Sequence, residues 1–302
     1  MSASMSAQPD FRTWMEGVQA RTEDALGRFL PDAASVPAKL HEAMRYTTLG
    51  GGKRVRPLLA YAAGELFGAL DDAVARAACA VEMIHVYSLV HDDMPCMDDD
   101  ALRRGKPTVH VAYDEATALL VGDALQAQAF EVLAGSEEVA PARLVQMLRL
   151  LAEAAGTKGM CGGQAIDLDS VGISLSLEEL ERMHQLKTGA MLRVSVLLGA
   201  LAGRELSAPE LQALKDYARA IGLAFQVVDD VLDATADSAT LGKTAGKDAA
   251  ANKPTYVSIL GLAPSKALAE QLRQQAHQAL APFGEQALRL RELADLIVQR
   301  KA

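Results

Sequence analysis

Apolar residues recur every three to four positions along almost the whole chain, and alternating apolar–polar stretches are nearly absent. That period belongs to amphipathic helices, with one face turned to a core. A first helix is expected over about 10–30, ended at Pro31. Gly50, Gly51 and Gly52 then break the pattern, and Pro57 suits the first turn of a new helix. After GALDD, where Asp71 or Asp72 is placed to cap, a long helix runs into HDDMPCMDDD, residues 91–100. Further helices are expected over about 113–135, 138–156, 176–202, 207–234, 264–282 and 285–300, with SLSLEE and SAPE as capping segments. Segment 236–255 is polar, rich in Gly, Lys and Asp, and reads as a functional loop. No Pro- or Ser-rich linker, repeat or low-complexity tract divides the chain. One all-α domain over residues 1–302 is the expectation.

Composition adds exclusions. The net charge of −9 and a pI near 5.2 argue against non-specific nucleic-acid binding, which needs a basic face. They leave room for an anionic small molecule met by local cations or metal ions. Cys79, Cys96 and Cys161 form no CxxC pair. Neither a disulfide framework nor a zinc site is suggested, and a reduced, cytoplasmic protein is expected. The N-terminus lacks the basic and apolar regions of a signal peptide. No apolar run reaches the roughly 20 residues of a membrane span, so no stable membrane association is expected.

Two acidic clusters carry the candidate chemistry. In HDDMPCMDDD, Asp92 and Asp98 are six residues apart, and an unbroken helix would turn them away from each other. Pro95 clashes with the carbonyl of His91 and pushes Met94 off helical angles. The helix should end or kink there, letting Asp98 fold back towards Asp92. In FQVVDDVLD, residues 225–233, Asp229 and Asp233 share a helix face, with Asp230 alongside and Gln226 one turn earlier. Carboxylates among apolar neighbours are costly without compensation, and a hard cation such as Mg²⁺ supplies it. Neither cluster has the spacing of an EF-hand.

Cations accompany the acids, as they should where Mg²⁺ completes its shell with substrate phosphates. GGGKRVRP places Lys53, Arg54 and Arg56 at a glycine turn entering a helix, but it is not a Walker A loop. LRRGKP adds Arg103 and Arg104, KTG adds Lys187 and Thr188, and the polar segment adds Lys243, Lys247 and Lys253. His85 precedes Asp92 by nearly two turns and shares its face.

Taken together, GGKRVRP, HDDMPCMDDDALRRGKPTVH, GGQAIDL, KTGA, FQVVDDVLD and LGKTAGKD resemble the trans-isoprenyl diphosphate synthase family in order and approximate spacing. Within it, the bacterial farnesyl type is most similar. The resemblance implies antiparallel helices around a central cavity, the isoprenoid synthase fold, in a homodimer. It implies head-to-tail condensation of isopentenyl diphosphate with dimethylallyl and geranyl diphosphate, giving mainly C15 (E,E)-farnesyl diphosphate. It also implies three Mg²⁺ ions, with Mn²⁺ as a substitute. On the same basis Asp92, Asp98 and Asp229 are expected as main metal ligands, supported by Asp93, Asp230 and Asp233. Arg103, Lys187, Thr188, Gln226, Lys243 and Lys247 would hold the allylic diphosphate, and Lys53, Arg56, His85 and Arg104 would hold isopentenyl diphosphate. Gln164 and Asp167 belong to a motif lining the cavity. Tyr87 and Ser88, just before the first acidic cluster, are the expected chain-length positions.

Four alternatives stand beside this reading. Geranyl or geranylgeranyl diphosphate synthesis is the serious one. An HD-type phosphohydrolase built on His91–Asp92 and His41 leaves DDVLD and the basic motifs unexplained. A non-catalytic heteromer subunit could dispense with metal carboxylates, which are intact here. Terpene cyclases usually mix Asn, Ser or Thr with Glu at the second motif.

Overall fold

The computed structural model describes residues 9–235 and 254–300. Helices α1 (Phe11–Phe29), α2 (Ala38–Thr48), α3 (Val55–Phe67) and α4 (Asp71–Asp92) lead to the first acidic cluster. A two-residue hairpin, β1 (Leu102–Arg103) with β2 (Lys106–Pro107), and the single turn α5 (Val109–Ala112) follow. Then come α6 (Glu115–Ala134), α7 (Pro141–Ala155), α8 (Met160–Asp169) and α9 (Leu177–His184). A π-helical turn, Gln185–Gly189, joins α9 to α10 (Ala190–Gly203). The chain continues through α11 (Ala208–Thr235), α12 (Tyr256–Leu260), α13 (Leu262–Ala279), a 3₁₀ segment (Ala281–Ala287) and α14 (Leu288–Gln299).

Capping explains several boundaries. Asp10 accepts the amide of Thr13 at 3.0 Å, and Asp114 accepts that of Thr117 at 2.7 Å. Ser176 and Glu179 cap each other at the start of α9 in the expected box. Asp71 and Asp72 do not cap α4: Leu70 is the N-cap, and Asp72 instead pairs with Arg76 one turn on. Both acids still sit in the first turn, where the helix dipole favours them.

Besides the single turn α5, three helices were not expected. The α2 segment lies between Pro37 and the glycine break, without a side-chain cap. The α8 segment carries two glycines, which weaken a helix on propensity. Packing overrides that cost, because a Cβ on Gly163 would lie 2.2 Å from the Lys187 nitrogen. Short α12 is closed by a Thr255–Ser258 capping box.

Among the described residues, buried apolar side chains from Trp14 to Ile297 form one cluster. Its centre is α4 and α10; every α10 residue from Val194 to Ala202 is buried. Each large aliphatic side chain so buried contributes about 1.5–3 kcal/mol. Helix α10 lies close against α3: a Cβ on Gly199 would come 2.0 Å from the Ala60 carbonyl oxygen. The span expectation needs a correction. Asp71–Asp92 and Leu177–Gly203 are each long and apolar enough to cross a membrane. The fold instead buries 78% and 72% of their apolar windows against other helices. The expected loop over 236–255 lies, but for its last two residues, outside the described residues, as do Lys243, Lys247 and Lys253.

Candidate active site

Helix α4 stops at Asp92, three residues before Pro95. The chain then closes a tight loop: the Asp98 amide donates to the Asp92 carbonyl at 2.8 Å, and the Asp100 amide to the Asp93 carbonyl at 3.1 Å. Asp99 takes a left-handed backbone, φ 51°, which Asp tolerates better than most residues. The expected return of Asp98 to Asp92 is thus present. The Asp92 carboxyl is pushed up to about 6, chiefly by burial and also by Asp98 and Asp93, against the opposing pull of Lys187 and Arg103. Asp93 itself is 3% exposed and paired with Arg103 through three hydrogen bonds of 2.6–3.0 Å. That fork fixes the hairpin against the end of α4.

Lys187 sits on the π turn and donates to Asp167 of α8 at 2.6 Å. Such turns are rare and recur at functional sites. Here the turn lies tight against α11, since a Cβ on Gly222 would be 3.0 Å from the Gly189 Cα. Lys187 acts electrostatically on Asp92 and on His184, and Asp229 acts on His184 as well. Both acidic clusters therefore flank one lysine-bearing turn.

In the second cluster, Asp230 accepts from Gln226 at 3.1 Å and from the Tyr256 amide at 2.8 Å. The carboxylate so ties α11 to α12. Asp233 is buried, whereas the Asp229 side chain is 41% exposed and lies 3.4 Å from Arg300. Arg300 also donates to the Phe225 carbonyl at 2.7 Å and stacks 3.9 Å over its ring. Nothing in the sequence pattern linked Arg300 to a motif 71 residues away. His184 was missed as well. It is 7% exposed, stacks on Tyr256 at 5.7 Å, and has no hydrogen-bond partner on either ring nitrogen. Burial lowers its pKa to about 4, keeping the ring neutral.

Lys53 and Arg54 part ways. Lys53 is exposed, and its carbonyl accepts from Gln19. Arg54 turns inward, bonding Glu82, Glu23 and the Thr48 carbonyl, each at 2.7 Å. Arg56 is half-buried, its pKa lowered to about 10 chiefly by desolvation. His85 lies among cations: burial and then Arg56, Arg104 and Arg103 hold its pKa well below the ordinary imidazole range. A neutral imidazole held beside arginines can donate a hydrogen bond to an anion that those cations attract. Arg104 donates to the Gly51 carbonyl at 2.8 Å, and only glycine fits at Gly52, φ 130°, where a Cβ would strike the guanidinium at 2.3 Å. A cavity of about 100 Å³ opens beside Gly50, Gly51, Asp93, Arg103 and Arg104.

His91 bonds the Leu119 carbonyl at 3.1 Å and packs so closely on Gly122 that a Cβ there would meet its ring. It is spent on helix packing, which removes the support for an HD-type metal pair. Tyr87 is 6% exposed, and Ser88 donates to the His85 carbonyl at 2.8 Å.

Among the described residues, no three His, Cys, Asp or Glu side chains converge closely enough to cage a metal ion. A dedicated protein cage is the habit of Ca²⁺; Mg²⁺ takes one or two carboxylates and completes its shell with water and phosphate. Asp92, desolvated and repelled by Asp98 and Asp93, fits that second kind of site.

A family model described as polyprenyl synthetase matches residues 37–287. The farnesyl diphosphate synthase of Escherichia coli (strain K12) is 46% identical over 296 residues, covering 96% of this chain and 99% of the relative. A chloroplastic geranylgeranyl pyrophosphate synthase of Catharanthus roseus is 47% identical over 302 residues, 98% of this chain and 83% of the relative. A crystal structure of a Helicobacter pylori geranyltransferase complexed with magnesium and isoprenyl diphosphate superposes with a TM-score of 0.83 at 32% identity, covering 97% of each chain. With a family model matching residues 37–287 and the fold shared over nearly its full length, this chain belongs to the polyprenyl synthetase family.

Proposed function

We propose that the protein is a Mg²⁺-dependent prenyltransferase that joins isopentenyl diphosphate head to tail with dimethylallyl and then geranyl diphosphate, releasing mainly C15 (E,E)-farnesyl diphosphate. The observation that carries this reading is the closed acidic loop, in which the Asp98 amide donates to the Asp92 carbonyl at 2.8 Å and the Asp92 carboxyl feels the charge of Lys187. On this reading Asp92, Asp98 and Asp229 hold up to three metal ions, with Asp233 in support. Asp93 and Asp230 assist by orienting Arg103 and Gln226, which they bond directly. Bound Mg²⁺ supplies positive charge to the departing diphosphate; the magnesium and isoprenyl diphosphate in the H. pylori relative support that choice.

The chain's own groups do the rest. Arg103, Lys187, Thr188 and Gln226, with Lys243 and Lys247, grip the allylic diphosphate, which leaves with the electrons of its C–O bond. Lys53, Arg56, His85 and Arg104 hold isopentenyl diphosphate, whose double bond attacks the allylic cation. A proton is then lost to the departing diphosphate. No protein nucleophile is required, and buried α4 and α10 keep water from the cation. Tyr87 limits the length of the product.

A single-domain, cytoplasmic homodimer completes the reading. Exposed Leu119, Leu120 and Val145 on α6 and α7 support self-association, and the three cysteines are free thiols. A C20 product is the one serious variant, because the C. roseus relative is as similar as the E. coli one. Incubation with isopentenyl diphosphate, dimethylallyl or geranyl diphosphate and Mg²⁺ tests both, with products resolved by chain length. A predominant C15 product is expected; a predominant C20 product selects the variant, and no condensation in either pairing overturns the proposal.

A further inference from the structure

The Tyr87 hydroxyl lies 3.6 Å from the Cys161 thiol of α8, and Gln126 of α6 lies near the same hydroxyl. The ring meets His91 edge-on at 5.7 Å, and His91 is itself fixed to α6. Three helices thus decide where the ring stands. On its own helix Tyr87 is turned about 140° from Asp92, so α4 alone does not aim it.

The two segments run in step. From Tyr87, α4 rises five residues, about 7.5 Å, to Asp92; from Cys161, α8 rises six residues, about 9 Å, to Asp167. Asp167 holds Lys187, which acts on Asp92. The space between α4 and α8 therefore carries charge at one end and the Tyr87–Cys161 contact at the other. Tyr87 is buried while Cys161 is exposed, so the thiol in contact with the ring is open to a reagent and the ring is not.

We infer that Cys161 is a specificity-determining residue for product length, forming with Tyr87 the stop that the growing prenyl chain meets. This rests on the prenyltransferase reading above. A group added at Cys161 shortens the space, and a smaller side chain lengthens it.

The test uses the full chain carrying Cys96→Ser, which leaves Cys161 as the exposed thiol because Cys79 is buried. Methyl and benzyl methanethiosulfonate are reacted with it; the Cys161 thiolate takes the sulfenyl group, and methanesulfinate leaves. With the benzyl adduct the C10:C15 ratio is expected to rise roughly tenfold, the discrimination an apolar pocket gains from small changes in size. The methyl adduct should shift it less, and dithiothreitol should restore it. In Cys161→Ala the C20 share should rise, again by about tenfold. Full labelling by mass with an unchanged profile overturns the inference. Should the benzyl adduct make no product, Cys161→Ala decides alone, and an unchanged C15:C20 ratio there overturns it. A parent protein that condenses nothing would sink the prenyltransferase reading, a separate result.

Discussion

The Asp98 amide donates to the Asp92 carbonyl at 2.8 Å, so backbone atoms, not carboxylates, close the loop that brings these two acids together. The loop should therefore survive loss of either side-chain charge. Asp98→Asn is expected to leave thermal unfolding within about 0.5 kcal/mol of the parent, as at a site without buried packing. Its turnover should fall by at least about 10²-fold, the scale of losing one group that stabilises developing charge. Calorimetry and turnover at saturating Mg²⁺ check this. Unfolding at markedly lower temperature would show instead that the carboxylate builds the loop.

Asp92 yields a pH prediction for the metal-free protein. Its carboxyl titrates at about 6 in the fold against 3.8 ordinarily, chiefly through burial. The folded state thus holds this proton more tightly than the unfolded state. Stability contributed by the protonated form is complete below pH 3.8 and is lost as pH rises through about 6. The loss amounts to about 3 kcal/mol at most. Asp92→Asn has no such proton to lose. Its metal-free form should be more stable than the parent at pH 7 and nearly equal to it at pH 4, while inactive at both. Denaturant titrations across that range measure the difference; parallel curves for the two proteins would refute the assignment.

Much of this was legible in the sequence, and the failures share a cause. Pro95 announced the end of α4, and the SLSLEE box announced the start of α9, because both act through neighbouring backbone. The two glycines of MCGGQAIDLD argued against a helix, yet α8 forms because Gly163 lets it lie against the Lys187 backbone. The KTG segment read as plain helix, and the π turn beneath Lys187 left no local mark. The family resemblance implies Asp93 and Asp230 as supporting metal carboxylates. Their partners, Arg103 from a hairpin and the Tyr256 amide from α12, show that both acids also organise the site. Arg300 reached the second motif from the far end of the chain, a contact no periodicity encodes.

Lys53 and Arg54 are adjacent but should fail differently when changed. Arg54 is 1% exposed and paired with Glu82, which is 2% exposed. Removing Glu82 leaves this buried guanidinium only the Glu23 carboxylate at 2.7 Å, and the cost is expected near the low end of the range of about 3–5 kcal/mol for breaking a buried pair. Glu82→Gln should therefore lower the unfolding temperature sharply, and the double change Arg54→Met with Glu82→Leu should recover part of the loss. Lys53→Ala should leave unfolding unchanged and raise KM for isopentenyl diphosphate by roughly tenfold or more, the worth of one charged hydrogen bond. Calorimetry and steady-state kinetics on the three proteins separate the cases. A stable Glu82→Gln protein with a raised KM would place Arg54 in the substrate site instead.

Tyr87→Ala addresses product length directly. The ring is 6% exposed, and Cys161 lies 3.6 Å from its hydroxyl. Truncation opens space where the chain is proposed to stop, at a stability cost of about 3–5 kcal/mol typical of a buried aromatic. That cost does not by itself redirect products, so the ratio among products reports the stop and the total reports the folded fraction. Products longer than C15 are expected to dominate from geranyl diphosphate and excess isopentenyl diphosphate. Tyr87→Phe keeps the ring and loses the bond to Cys161, so it should stay close to C15 with a small C20 fraction. A C15 profile in Tyr87→Ala like that of the parent would mean that the chain ends against some other wall of the cavity.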